Sequence, residues 1–338
     1  VSAAVGKPLV FDQSVWEGIE SFFARSGRTP TPNNRRQAYV IEGSRVLPNP
    51  NGTAPGLIVD CGEKTVILLP GPPAELIPMY DRHVADFLRS RGAGGCVIHS
   101  RVLKACMLGE SAIEERLRDL MVSARNPTVA PYAYPGEVHL RITAKARSAP
   151  EAAGLIEPVE REIRSRVGRF VFGADDDTLE SAVGALLRRR RFTVGIGESC
   201  TGGLLGHRLT QVPGCSQYFL GGSISYSNDM KVRTLGVRQS TLNTCGAVSE
   251  EAALEMARGA RSLTGGDIGV GVTGIAGPSG GSEAKPVGTV HVAICGPMGE
   301  THRRLALWGS RETIKWRASQ EALATLWRYL GGGADEGG

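Results

Sequence analysis

The stretch Phe192-Thr193-Val194-Gly195-Ile196-Gly197-Glu198-Ser199-Cys200-Thr201-Gly202-Gly203 decides the fold. Residues 192–196 read as an apolar strand, and 202–211 as a short helix stopped by Pro213-Gly214. A turn of small residues joins them. The alternation continues outward. Residues 179–190 predict a helix, and Asp175-Asp176-Asp177 sit at its start, where acids suit the helix dipole. Downstream come a strand at 220–226, a helix at 228–235, and a long helix capped by Ser249 with Glu250 and Glu251 in its first turn. Strands at 268–273, 287–294 and 301–308 follow, and Ser310 opens a last helix that ends near Leu330. Strands alternating with helices predict a three-layer α/β/α domain over 175–331, followed by a flexible Gly-rich tail.

Segment 96–174 reads as strand, helix, two strands around Tyr134-Pro135-Gly136, helix, strand. That β-α-β-β-α-β order predicts a small α+β domain of split βαβ type. Gly92-Ala93-Gly94-Gly95 reads as a linker before it. In segment 1–92, Val15, Ile19, Phe22 and Phe23 recur at helical spacing after Asp12. Two Pro/Gly-rich loops follow, at 48–56 and 69–75, with a strand at 65–69 and a helix at 74–89. These elements are too few for a complete α/β domain, so the expectation is a partial one whose first half lies outside the chain.

Composition supports this outline. At roughly 150 residues per domain, 338 residues predict two to three domains. The 39 basic and 34 acidic side chains leave a formal charge of +5, compatible with a phosphorylated ligand but too diffuse for a nucleic-acid binder. No apolar run approaches the ~18 residues of a membrane span. The N-terminus lacks a signal-peptide pattern and a Met, which predicts a chain beginning inside a longer protein. The 7 cysteines form no CxxC pair, so free thiols in a reducing cytoplasm are expected. The 6 histidines are scattered without HExxH, so no built-in metal site is expected.

Chemistry concentrates in the turn at 197–203. Its glycines admit a ligand to the backbone, and the N–H groups of the following helix could bind an anion or an oxyanion. On the residues alone, nucleophile turn, phosphate cradle and plain turn all remain open; the G-x-S-x-G elbow is not matched, because Thr201 stands where it requires glycine. Ser199 competes with Cys200, for which a buried packing role is expected. A serine nucleophile without a histidine needs a desolvated lysine. Lys231 stands at a second strand-to-helix junction, with Tyr226 on the rim, and strand C-terminal ends in such sheets converge on one crevice. The alternative is a solvated helix lysine. Gly269, Gly271 and Gly274 make a literal G-x-G-x-x-G, but they interrupt a strand, and Pro278 forbids the required helix. A ligand-lining loop with Thr273 as a hydroxyl donor is expected instead, bordered by Lys285, which would bind phosphate or face solvent.

Five motifs in order carry a family resemblance: GESCTGG at 197–203, SYSNDMK at 225–231, GAVSEE at 246–251, GVTGIAGPSGG at 271–281 and KPVGTVHVAI at 285–294. Together they resemble the C-terminal domain of the CinA family. NPNGTAPG at 49–56 and LLPGPPAEL at 68–76 resemble the end of that family's N-terminal, molybdopterin-binding-like domain, and the middle segment corresponds to its KH-like domain. The resemblance implies nicotinamide-nucleotide amidase activity in pyridine nucleotide salvage, without a metal. It makes Ser199 the nucleophile and Lys231 the base. Thr201, Gly202, Gly203, Tyr226, Thr273 and Gly274 would bind substrate, with backbone N–H groups near Thr201 and Gly202 holding the oxyanion. For an intact N-terminal domain it implies metal-dependent ADP-ribose pyrophosphate hydrolysis. The Gly-rich motif of that activity is not in this sequence, so no competent pyrophosphatase is expected, with Asn49, Asn51, Gly52, Gly71 and Glu75 as remnants of that cleft. The family also implies a homodimer, a link to competence and association with a recombinase. The segment corresponding to the KH-like domain has no GxxG loop between helices, so nucleic-acid binding is not expected. Two alternatives to the amidase are a competence-related interaction protein with a degenerate pocket and a metal-dependent nucleotide hydrolase.

Overall fold

A computed structural model describes residues 1–91, 95–123 and 125–333. The chain divides into two compact units, Val1–Gly95 and Cys96–Gly338. The first holds α1 (Ser2–Val5), β1 (Leu9–Phe11), α2 (Gln13–Ala24), β2 (Tyr39–Ile41), β3 (Arg45–Leu47), β4 (Gly56–Cys61), β5 (Lys64–Leu68), α3 (Pro73–Met79) and α4 (Ala85–Arg91). Strands β1 and β2 form one antiparallel pair, and β3-β4-β5 a separate three-stranded sheet. Asp12 caps α2 by accepting from the Val15 amide at 3.1 Å. The helix expected at 74–89 is present but interrupted by a wide turn over Tyr80–Val84, just after Pro78 removes a backbone donor.

The second unit opens with β6 (Val97–Cys106), α5 (Glu110–Ser123), β7 (Thr128–Tyr134), β8 (Glu137–Ala146), α6 (Ala149–Val167) and β9 (Val171–Ala174). The sheet order is β7-β8-β6-β9. Strand β8 alternates buried and exposed, and its inward Val138, Leu140, Ile142 and Ala144 pack with Ile113, Leu117, Ile156 and Ile163 of the two helices. Each of these Val, Leu and Ile side chains stabilises the fold by about 1.5–3 kcal/mol when fully buried.

Then come α7 (Leu179–Arg190), β10 (Val194–Glu198), α8 (Leu204–Thr210), β11 (Phe219–Ile224), α9 (Asn228–Leu235), α10 (Gln239–Thr244), α11 (Glu250–Thr264), β12 (Ile268–Gly274), β13 (Thr289–Gly296), β14 (Gly299–Ala306) and α12 (Arg311–Tyr329). The sheet order is β11-β10-β12-β13-β14, parallel across the first three strands and antiparallel beyond β12. Helices α7 and α12 pack on one face through Val183, Leu187, Ala318, Leu323 and Trp327; Ala253, Ala257, Met256 and Ala260 of α11 cover the other. The three layers expected for 175–331 are therefore present.

Three local expectations are corrected. The helix after the Ser199 turn begins at Leu204 rather than Gly202, because Gly202 and Gly203 have φ of 62° and 94°, outside helical space. Asp175 and Asp177 do not serve the dipole of α7: they accept from the Val102 and Ala174 amides at 2.9 Å, and Thr178 and Ser181 form the cap instead. The glycines of β10 and β12 are packing positions. A Cβ on Gly195, Gly269 or Gly271 would stand 2.8, 1.9 or 2.3 Å from a backbone carbonyl oxygen of α11, so the helix backbone lies flush on the sheet. Of the expected linker only Gly95 is among the described residues, and tail residues 334–338 also lie outside them.

Candidate functional site

The Ser199 turn is tied on several sides. The Ser199 amide donates to the Val272 carbonyl of β12 at 2.9 Å, and the Ser225 amide donates to the Glu198 carbonyl at 2.8 Å. The Glu198 carboxylate, 1% exposed, accepts from the amides of Gly203 and Leu205 at 2.9 and 3.1 Å and of Gly206 at 2.8 Å. A buried carboxylate against the first amides of a helix satisfies donors that would otherwise be orphaned. The sequence reading missed Glu198. Its signal was an acid closing an otherwise apolar strand.

Lys231 lies in the first turn of α9, which Ser227 caps by accepting from the Met230 amide at 3.2 Å. Its side chain runs inward and is 2% exposed. Nζ donates to the carbonyls of Ser225 at 3.0 Å and Tyr226 at 3.1 Å, and stands 3.1 Å from Ser199 Oγ. Burial holds its pKa below the ordinary lysine value. A neutral amine has two N–H groups, which suffice for the two carbonyls, and its lone pair then faces the serine hydroxyl hydrogen. That arrangement can take a proton from Ser199. Cys200 points into the core, and burial pushes its thiol up to about 12, so it is not a ready nucleophile.

The other candidate residues divide. Thr201 is fully buried, and its Oγ1 has no hydrogen-bond partner, so a donor is in reserve two residues from Ser199. The Gly202 amide, expected to serve an oxyanion, already donates to the Ser199 carbonyl at 3.1 Å, and the Gly203 amide belongs to Glu198. Tyr226 is exposed; its hydroxyl accepts from Arg311 at 2.8 Å, and the same guanidinium donates to the Gly277 carbonyl at 2.6 Å. Arg311 thus ties α12 to two loops of the site. It too was missed, although a cation in the first turn of a helix, where acids are favoured, was a usable signal. Thr273 is committed to the Ala247 carbonyl at 2.7 Å, which anchors the 246–248 loop to β12. At Gly274 a Cβ would stand 2.6 Å from a Val290 methyl and 2.8 Å from the Thr289 carbonyl oxygen. Lys285 is held by the Cys245 carbonyl at 2.6 Å.

In the first unit, Asn49 donates to Glu75 at 2.6 Å, Asn51 donates to the Ala74 carbonyl at 2.9 Å, and a Cβ on Gly52 would strike the Glu75 carboxylate. These residues hold one another, while a Cβ on Gly71 would meet nothing. Among the described residues no three His, Cys, Asp or Glu side chains gather where they could share a metal ion.

A three-layer α/β domain with a serine and a buried lysine at adjacent strand ends defines a class, and comparison with known proteins supplies the family. Residues 176–330 match the CinA C-terminal domain, and residues 100–173 match the damage-inducible protein CinA KH domain. A competence-damage inducible protein of Moorella thermoacetica is 50% identical over 330 residues, 98% of this chain and 80% of that protein. A CinA-like protein of Dictyoglomus thermophilum is 44% identical over 324 residues, 96% of this chain and 78% of that protein. A solved structure of a competence/damage inducible protein from Agrobacterium tumefaciens is 39% identical, covering 45% of this chain and 93% of its own, with a TM-score of 0.43. The chain belongs to the CinA family. Among the described residues no helix is long and apolar enough to cross a membrane.

Proposed function

We propose that this chain hydrolyses the carboxamide of nicotinamide mononucleotide, giving nicotinic acid mononucleotide and ammonia through an acyl-enzyme on Ser199. The observation that carries the reading is the 3.1 Å approach of Lys231 Nζ to Ser199 Oγ, with the amine buried and seated on two carbonyls. Neutral Lys231 takes the hydroxyl proton as Oγ bonds to the amide carbon. The Thr201 hydroxyl, unpartnered and two residues along from Ser199, is the side-chain donor to the oxyanion that forms. Lys231 returns the proton to the leaving nitrogen, the C–N bond breaks and ammonia departs. Water then adds to the ester carbon, again losing its proton to Lys231, and the acid leaves as Ser199 is regenerated. Neither step draws on a metal.

The test is ammonia release from nicotinamide mononucleotide by wild type, Ser199→Ala and Lys231→Ala. Loss of at least about a thousandfold in both variants is expected. Equal rates in all three would sink the mechanism, and no release by wild type would favour the interaction protein.

A further inference from the structure

The β7–β8 turn of the middle segment reaches the cleft beside the Ser199 turn. Pro135 lines, with Thr201, Gly203, His207, Arg311 and Lys315, a space of about 880 Å³ that starts at the residues just after Ser199 and has neither Ser199 nor Lys231 in its lining. That size suits a small-molecule site. Buried contacts fix the turn in place. Gly136 has φ of 81° and packs on α12 so closely that a Cβ would stand 2.6 Å from Gln320 Cγ. Glu137 accepts from Gln320 Nε2 at 2.8 Å, and Gln320 Oε1 accepts from Arg208 at 2.5 Å. Gln320 and Arg208 are 1% and 3% exposed. Arg208 also donates to Ser319 at 3.0 Å and pairs with Glu180. It sits on α8, the helix that starts directly after the Ser199 turn. The other Glu137 oxygen meets His139 Nε2 at 2.8 Å, and the His139 ring lies 4.2 Å from that of Tyr134. Turn, α12 and α8 are therefore one clamp, with the buried Gln320 and Arg208 at its centre.

We infer that the Tyr134–Glu137 turn is a wall of the substrate cleft and that Pro135 is a specificity-determining residue, packing against the part of the substrate that does not react. The inference rests on the amidase reading of Ser199. A pyrrolidine ring is rigid and apolar, and it loses no rotamer freedom when a ligand is bound against it. A contact to the non-reacting end, made equally in ground and transition states, lowers KM and leaves kcat alone. Gln320 and Glu137 are positioning residues: they hold the wall without touching the substrate.

The experiment measures kcat and KM for nicotinamide mononucleotide on the full chain with Pro135→Ala and Glu137→Ala, and the affinity of the same nucleotide by calorimetry in the Ser199→Ala background with and without Pro135→Ala. The expected result is a KM raised about three- to tenfold in both variants with kcat within about twofold, and a matching loss of affinity in the calorimeter. A KM within twofold of wild type in both variants, or equal affinity with and without Pro135, overturns the wall while leaving the amidase standing. A wild type that releases no ammonia overturns the amidase, whereas a calorimetric loss on removing Pro135 still supports the wall. No binding in either background overturns the wall whatever the wild-type rate.

Discussion

The Glu198 carboxylate donates nothing and accepts three times, from Gly203 just before α8 and from Leu205 and Gly206 within it, with its closest bond, 2.8 Å, to the Gly206 amide. The residue before the proposed nucleophile is therefore the clasp of its turn. In Glu198→Ala the three amides lose a charged, buried acceptor, and a loss of about 2–4 kcal/mol is expected. Glu198→Gln turns an NH₂ toward one of the amides and should lower kcat more than it raises KM. Urea unfolding and steady-state kinetics check both; a fully active Glu198→Gln would show that the clasp has no catalytic consequence.

In the proposed mechanism Lys231 sets the pH dependence of the rate. Burial lowers its pKa from 10.5, and only the neutral amine accepts the Ser199 proton. The kcat/KM profile should therefore rise with pH through a limb centred below the ordinary lysine value. Lys231→Arg, which stays charged, should be inactive across the range. The sign for stability is the same: the unfolded chain holds this proton up to 10.5 while the fold releases it earlier, so between the two values the wild type gains stability as pH rises. A rate limb at or above 10.5 is the outcome incompatible with a desolvated base.

A second titration lies away from the proposed site. His291 Nδ1 and His302 Nε2 are 2.9 Å apart across β13 and β14, with Glu250, Glu251, Lys285 and Arg304 around them. Burial first, then the neighbouring His302, brings His291 down to about 4 from 6.5. The unfolded chain thus binds the extra proton first, and stability should fall as pH drops from about 6.5 to about 4, by up to about 3 kcal/mol. Denaturation midpoints of wild type and His291→Gln at pH 7.5 and 4.5 read this out. The variant should lose less on acidification.

The α11 seam gives a simpler expectation. Gly271→Ala places a methyl 2.3 Å from the Ala253 carbonyl oxygen. No rotamer change relieves a clash with a peptide group, so a loss of about 1–3 kcal/mol is expected, whereas Gly154→Ala, with nothing near its Cβ and a helical backbone, meets no such wall. Equal thermal midpoints for the two variants would refute the flush packing.

Much of the C-terminal domain was legible because its signals are local. Helices α7 and α9 were read to their observed ends, since their apolar spacing and flanking turn residues both lie within a dozen positions. Ser199 and Lys231 were singled out because strand-to-helix junctions in such sheets gather at one edge. What stayed hidden depends on partners distant in sequence. Gly269 and Gly271 read as a loop beside a ligand, because sequence does not show that α11 lies against them. Asp175 looked like a helix acid until β6 claimed it through the Val102 amide. Helix α10 was not anticipated; it is a six-residue element held partly through Thr241, which donates to Glu255 of α11 at 2.8 Å.

The seat of Lys231 has a consequence for how the site can change. Its two acceptors are the carbonyls of Ser225 and Tyr226, which belong to the peptide chain and not to any side chain. No codon change at either position deletes them. The phenol of Tyr226, engaged with Arg311, can therefore be exchanged in directed evolution to reshape the rim while the amine beneath keeps its address.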